Sequence, residues 1–125
     1  MVEGIRRKQG KHGWVEGTYT EMKRSWGRLV RQMAEGYSLP LREEVYMTYL
    51  IFEPNRRRDP SNVRAGAVKI IEDGLKGCAL SNDGWRNILD SREFLAVDKE
   101  APGVAVFLSD ERVLERDEAM EMQNG

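Results

Sequence analysis

The chain has 125 residues and a formal net charge of −1, from 20 Lys and Arg against 21 Asp and Glu. That length accommodates one domain with a modest core, and near-neutrality excludes a protein drawn onto nucleic acid by overall basicity alone. The single cysteine, Cys78, excludes an internal disulfide, and the single histidine excludes a histidine-rich metal site. The lone cysteine points to a reducing compartment, and with no apolar run of membrane length and no signal-peptide pattern a cytoplasmic setting is expected.

Charge is unevenly spread. Residues 1–31 hold eight Lys or Arg and three acids, whereas residues 110–125 hold two arginines and six acids. Three regions are expected: a basic, Gly-rich N-terminal arm (1–17), an α/β (α+β) domain (18–108) and an acidic C-terminal tail (109–125). The arm carries Arg6, Arg7, Lys8 and Lys11 with Trp14 as its one large apolar anchor. It reads either as a loose arm with a docked ring or as an arm that touches phosphates.

Residues 18–35 read as the first helix. Thr18 and Glu21 have the spacing of a capping box, Gly36 follows as a stop, and Met22, Trp26, Leu29, Val30 and Met33 form an apolar stripe. Arg24, Arg28 and Arg31 share another side, either simply solvated or in contact with phosphates. Residues 43–53 alternate with apolar groups on both faces: Val45, Met47, Tyr49 and Ile51 on one, Tyr46, Thr48, Leu50 and Phe52 on the other. A strand of that kind needs two covers, one from helices and one from a further helix or a partner subunit.

Pro54-Asn55 ends the strand, and Arg56-Arg57-Arg58-Asp59-Pro60-Ser61-Asn62 follows. Proline fixes φ for a first helical turn, with Asp59 in the N-cap position. Val63, Ala67, Ile70, Ile71, Gly74 and Leu75 repeat at helical spacing as a buried face, Asn62, Lys69 and Asp73 (or Glu72) lie on another, and Gly77 stops the helix. Ser81-Asn82-Asp83-Gly84-Trp85 is a tight turn carrying a second acid. Residues 86–89 read as a short strand or turn, and 94–98 and 104–108 as strands. One further strand is placed in 1–17 or 86–90. The tail either forms a short helix through Val113, Leu114 and Met120 or stays unfolded.

This order of arginines, acid, helix and acid resembles the RusA family of Holliday-junction resolvases. The family pattern is Asp-x-Asp-Asn at the mouth of a helix, a lysine on that helix and an Asp-Asp pair in the next loop. Asp59 and Asn62 match the first motif, with Ser61 where the second aspartate stands. Asn82 and Asp83 take the place of the pair, and Lys69 lies one turn beyond Ala65, which occupies the lysine position. The resemblance covers roughly residues 14–108. It implies a RusA-like small mixed sheet with two main helices, in a homodimer whose symmetry matches a four-way junction.

The activity so implied is Mg²⁺-dependent (or Mn²⁺-dependent) hydrolysis of phosphodiesters in four-way or branched DNA. Clustered carboxylates suit that chemistry because a divalent ion both activates water and neutralises the charge of the transition state. Asp59 and Asp83 are the expected metal ligands and, with Asn62 and Lys69, the expected catalytic set, with Asp73 and Asp98 as accessory acids. Arg56, Arg57 and Arg58, with Arg24, Arg28 and Arg31, are expected to contact phosphates, since guanidinium forks match phosphate oxygens. Asp59 also reads as nothing more than a helix cap, and Lys69 as an ordinary solvated lysine. Ser61 keeps two other readings in play: a structure-selective branched-DNA-binding protein with a weakened metal site, and a protein-interaction module that uses the acidic tail.

Overall fold

The computed structural model describes residues 2–6, 19–36 and 39–124, and for residues 2–6, 19–26 and 124 only the course of the backbone. The expectations for Trp14, for Thr18 as a cap and for the side chains of Met22, Arg24 and Trp26 fall outside what is described. The elements in chain order are β1 (Val2–Arg6), α1 (Tyr19–Gly36), β2 (Val45–Glu53), α2 (Pro60–Leu75), β3 (Ile88–Val97), β4 (Gly103–Ser109) and α3 (Arg116–Asn124).

The strands form one mixed sheet in the order β1-β4-β2-β3. Strands β2 and β3 run parallel, with Tyr49 opposite Glu93, while β4 is antiparallel to both β2 and β1. Parallel neighbours need a crossover, and α2 supplies it, making β2-α2-β3 a βαβ unit. Strand β4 lies between β2 and β1, which leaves β3 at one edge and β1 at the other.

The alternation in β2 sorts its residues between two cores. Val45, Met47, Tyr49 and Ile51 face α1 and α2, packing with Val30, Ala34, Val63, Ile70, Ile71, Leu75, Val104, Val106 and Leu108. The α2 stripe is buried as its spacing requires, Ala67 being partly so. Gly74 is where α1 and α2 touch: a Cβ built there would lie 2.9 Å from Val30 Cβ and 3.1 Å from the Gly27 carbonyl oxygen. Gly66 meets nothing within 4 Å, so the close approach belongs to Gly74 alone of the two. After α2 the chain reverses at Gly77, whose φ of 85° favours glycine.

The opposite face of the sheet carries Leu50, Phe52, Ala105 and Phe107, flanked by Phe94 and Ala96 of β3 and covered by Leu114, Ala119 and Met120. Thr48 is fully buried among them and accepts a 2.9 Å hydrogen bond from the Leu114 backbone N–H, which fixes the approach of the segment. At the start of α3, Glu118 accepts from the Glu115 N–H at 3.0 Å and from Arg112. Those bonds hold its carboxyl at about 2, well below the ordinary value.

This corrects the architecture expected from sequence. The domain is α+β with three helices, not a RusA-like domain with two main helices. The second apolar face of the sheet, which motivated the homodimer, is covered by α3 of the same chain. A charged segment with few large apolar groups supplies that cover because only Leu114, Ala119 and Met120 need to turn inward.

Candidate functional site

The residues expected to act together are divided between the two ends of the βαβ unit. At the carboxyl ends of β2 and β3 lie the arginine loop, Asp59, Asn62 and Asp98. Asp59 is the N-cap of α2: its carboxylate accepts the Ser61 backbone N–H at 2.8 Å, and its carbonyl accepts from Val63. Ser61 and Asn62 are exposed in the first turn. Asp98 donates its N–H to the Glu53 carbonyl and turns its carboxylate onto the N–H groups of Glu100 and Ala101. It is thus the capping residue of the β3–β4 connection.

The three arginines of the loop differ from one another. Arg56 and Arg57 are exposed. Arg58 donates from Nε to the buried Glu53 carboxylate at 2.8 Å, so part of its guanidinium holds the end of β2. Of the helix α1 arginines, Arg28 is exposed, and Arg31 donates to the Lys76 carbonyl at 2.7 Å, capping the C-terminal end of α2. Arg24 lies in α1, its side chain outside the described residues.

Lys69, Asp73 and Asp83 form the second group, over the C-terminal half of α2. Lys69 Nζ lies 3.0 Å from Asp73 Oδ1 across one helical turn, and Lys76 Nζ lies 3.3 Å from Asp83 Oδ1. The Asp73 contact raises the pKa of Lys69, and the charges of Asp83 and Glu72 add to it, so all three acids lie in the field of this lysine. Glu72, on the sheet side of α2, accepts the hydroxyl hydrogen of the buried Tyr49 at 2.9 Å. Burial pushes the Glu72 carboxyl above its ordinary value; the Tyr49 bond pulls it back, and the charges of Asp83 and Glu93 push it further up. Burial likewise raises Tyr49 well above the ordinary phenol value, with Glu72 adding to the effect.

The expected ligands Asp59 and Asp83 are not brought together. Asp59 and Lys76 bracket the 16 residues of α2, which at about 1.5 Å per residue places their backbones roughly 25 Å apart. With side chains extended toward each other, the Asp59 and Asp83 carboxylates stay on the order of 10 Å or more apart, against about 2 Å from Mg²⁺ to each of its oxygens. One ion cannot touch both, and a pair of ions about 4 Å apart cannot bridge them. Among the described residues, no group of three or more His, Cys, Asp or Glu is placed to hold a metal ion. Mg²⁺ is commonly held by one or two carboxylates, completed by water and substrate phosphate. Asp73 and Asp83 in the second group are each partly exposed and each paired with a lysine, Lys69 and Lys76 respectively.

Sequence reasoning passed over Lys76, Glu93 and the Tyr49–Glu72 bond, and named Glu72 only as an alternative to Asp73. The polar series Lys69, Glu72, Asp73, Lys76 recurs at spacings of three and four residues, which was a legible sign of one continuous charged stripe. Nothing in the sequence marked Tyr49 as other than a core aromatic. Among the described residues no helix is long and apolar enough to cross a membrane. No protein-family model matches the chain, and a comparison with curated proteins found no match.

Proposed function

We propose that the protein is a Mg²⁺-dependent endodeoxyribonuclease acting on four-way or branched DNA, as the RusA-type pattern of residues 56–83 implies. The observation that carries this reading is the group Lys69, Asp73 and Asp83, three residues singled out from sequence that lie within one electrostatic neighbourhood. In this reading Asp83 and Asp73 hold the ion, which when bound supplies a Lewis acid and a water of lowered pKa. Lys69 offsets the charge that develops on the scissile phosphate. Arg31, joined to the group through Lys76, and Arg28 on the same helix steer the DNA backbone toward it. The exposed Arg56 and Arg57, at the other end of α2, contact a second stretch of backbone, so the site reads an extended duplex rather than a single phosphate. Asp59 caps the helix and sets the path of the arginine loop. The setting is the reducing interior of a bacterial or phage-infected cell, where one unpaired thiol is stable.

A second reading is favoured by a specific observation. Ser61 stands where the RusA-type pattern has a carboxylate, and Asp59 is separated from Asp83 along α2, which supports a chain that binds branched DNA without cutting it. A synthetic four-way junction incubated with the protein in Mg²⁺ or Mn²⁺ separates the two. Nicks in the arms support the nuclease, and binding without nicks supports the second reading.

A further inference from the structure

Trp85 is 98% exposed, the most exposed of the large hydrophobic side chains described. Single exposed apolar residues are ordinary, but tryptophan is on average among the more buried residue types, and an uncovered indole in water forgoes a large burial free energy. The ring is not on a slack loop. Asn87 and Ile88 donate their N–H groups to the Gly84 carbonyl, closing a turn around Trp85 and Arg86. The Asn87 side chain donates to the Glu43 carbonyl at 2.9 Å and to Ser81 Oγ at 3.2 Å. Backbone bonds of Arg42 fasten the other side, its N–H reaching the Ala79 carbonyl and its carbonyl accepting the Ser81 N–H. Lys76 holds Asp83, two residues before the ring. The fold therefore presents an indole on a braced turn.

The charge around it indicates what the ring meets. Arg86 is adjacent and exposed, and Asp83 is tied to Lys76, whose carbonyl receives Arg31. Lys76 thus ties the turn that carries the indole to Arg31, and Arg86 follows the ring directly in sequence, so a polyanion held by these cations would meet the indole. Successive phosphates suit the cations, and an unstacked base suits the free face of the ring, because every base has a π face and stacking needs no particular sequence.

We infer that Trp85 is a stacking platform for an unpaired or unstacked nucleobase, and so the feature by which this protein prefers branched or interrupted DNA to continuous duplex. The inference rests on the DNA-directed reading above and adds to it the element that recognises the branch. A continuous duplex keeps its bases stacked and offers the indole only backbone. A four-way junction or a single-nucleotide bulge offers a base whose unstacking is already partly met by its structure.

The test uses the full chain, wild type, Trp85→Phe and Trp85→Ala, with three labelled DNAs of matched sequence: duplex, duplex with a one-nucleotide bulge, and four-way junction. Binding is read by anisotropy without divalent metal, and indole quenching by the difference between wild type and Trp85→Phe. Sedimentation reports self-association. The expected result is quenching of the Trp85 signal by bulged and branched DNA. Trp85→Ala should bind those two about tenfold more weakly and bind duplex nearly as wild type, with Trp85→Phe in between. If wild type binds DNA but Trp85→Ala binds all three equally well and Trp85 is not quenched, the inference is overturned while the DNA reading stands. If Trp85→Ala abolishes self-association and leaves DNA binding alone, the ring seats a second copy and the inference is overturned. If wild type binds none of the three at low salt, the DNA-directed reading fails and the inference with it.

Discussion

Lys76 Nζ lies 3.3 Å from Asp83 Oδ1, and the carbonyl of the same lysine accepts Arg31 Nη2 at 2.7 Å. One residue at the end of α2 therefore joins the basic face of α1 to the acid of the next turn. The ion pair is partly exposed, so its direct contribution to stability is small, below about 1 kcal/mol. Lys76→Gln should leave the denaturation midpoint close to that of wild type. It should tighten Mg²⁺ binding in the absence of DNA, because an ammonium no longer competes for the Asp83 carboxylate. Calorimetric titration with MgCl₂ checks this, and weaker binding in the variant would remove Asp83 from the metal site.

The helix mouth gives a contrasting expectation. Asp59 already caps α2 through the Ser61 N–H, so Asp59→Ala should cost about 1 kcal/mol in urea denaturation and Asp59→Asn much less. Ser61→Asp adds a carboxylate to the first turn, worth about 0.3–1 kcal/mol in favour of the helix at low salt. It should add no Mg²⁺ affinity, because Asp83 lies at the far end of the helix. Mg²⁺-dependent stabilisation of Ser61→Asp, absent from wild type, would show that the ion binds at the helix mouth.

The arginine loop should separate by residue. Arg56→Gln with Arg57→Gln should reduce the slope of log affinity against log salt by about two, with the same loss on junctions of different sequence. Arg58→Ala should act on the fold, since it weakens the hold on buried Glu53, at a cost of about 1–3 kcal/mol. Salt titrations by anisotropy and urea denaturation of the same variants distinguish binding from stability.

The two glycines of α2 should respond in opposite senses. Gly66→Ala meets open space and should stabilise by roughly 1 kcal/mol through helix propensity. Gly74→Ala places a methyl 2.9 Å from Val30 Cβ and should destabilise by about 1–3 kcal/mol as the α1–α2 contact is forced apart. Thermal denaturation of the two single variants measures both effects.

Much of the fold was legible because local rules agreed with tertiary packing. The β2 alternation specified both faces, Pro60 and Asp59 marked the start of α2, and Val63, Ile70, Ile71 and Leu75 marked its buried side. The cover of the second face was not legible. Leu114, Ala119 and Met120 sit among acids and arginines, and their spacing is too sparse to announce a packed helix. For the site, sequence named Lys69, Asp73 and Asp83 as candidates and joined them to Asp59, which caps the far end of α2. The pairing failed because motif order says nothing of distance along α2, whose length separates its cap from the next turn. Asp98 closes a turn at the carboxyl end of β3, at the other end of that strand from Asp83.

Glu72 predicts a pH dependence. Its folded-state carboxyl titrates above the ordinary range, chiefly from burial, so the folded chain binds a proton that the unfolded chain has released. The associated stability is fully present below the unfolded carboxyl value and is lost as pH rises through the folded one. Glu72→Gln keeps an acceptor for the Tyr49 hydroxyl and removes the charge. It should therefore gain on wild type near about pH 8 and lose that advantage near about pH 4, by less than about 1 kcal/mol because water screens the half-exposed group. Urea midpoints at the two pH values check the sign; an advantage that grows in acid would mean that Glu72 is stabilised as the anion.

Cleavage of one end-labelled four-way junction in Mg²⁺, by wild type and by Asp83→Asn, with binding of the same junction measured in EDTA, decides whether the protein is a nuclease that works through Asp83. Wild type should nick the junction, Asp83→Asn should cleave it about 100-fold or more slowly, and the two should bind within a few-fold of each other. Equal cleavage by both proteins would remove Asp83 from the chemistry. Binding without a nick from wild type, in Mg²⁺ and in Mn²⁺, would contradict the nuclease and leave a protein that holds branched DNA.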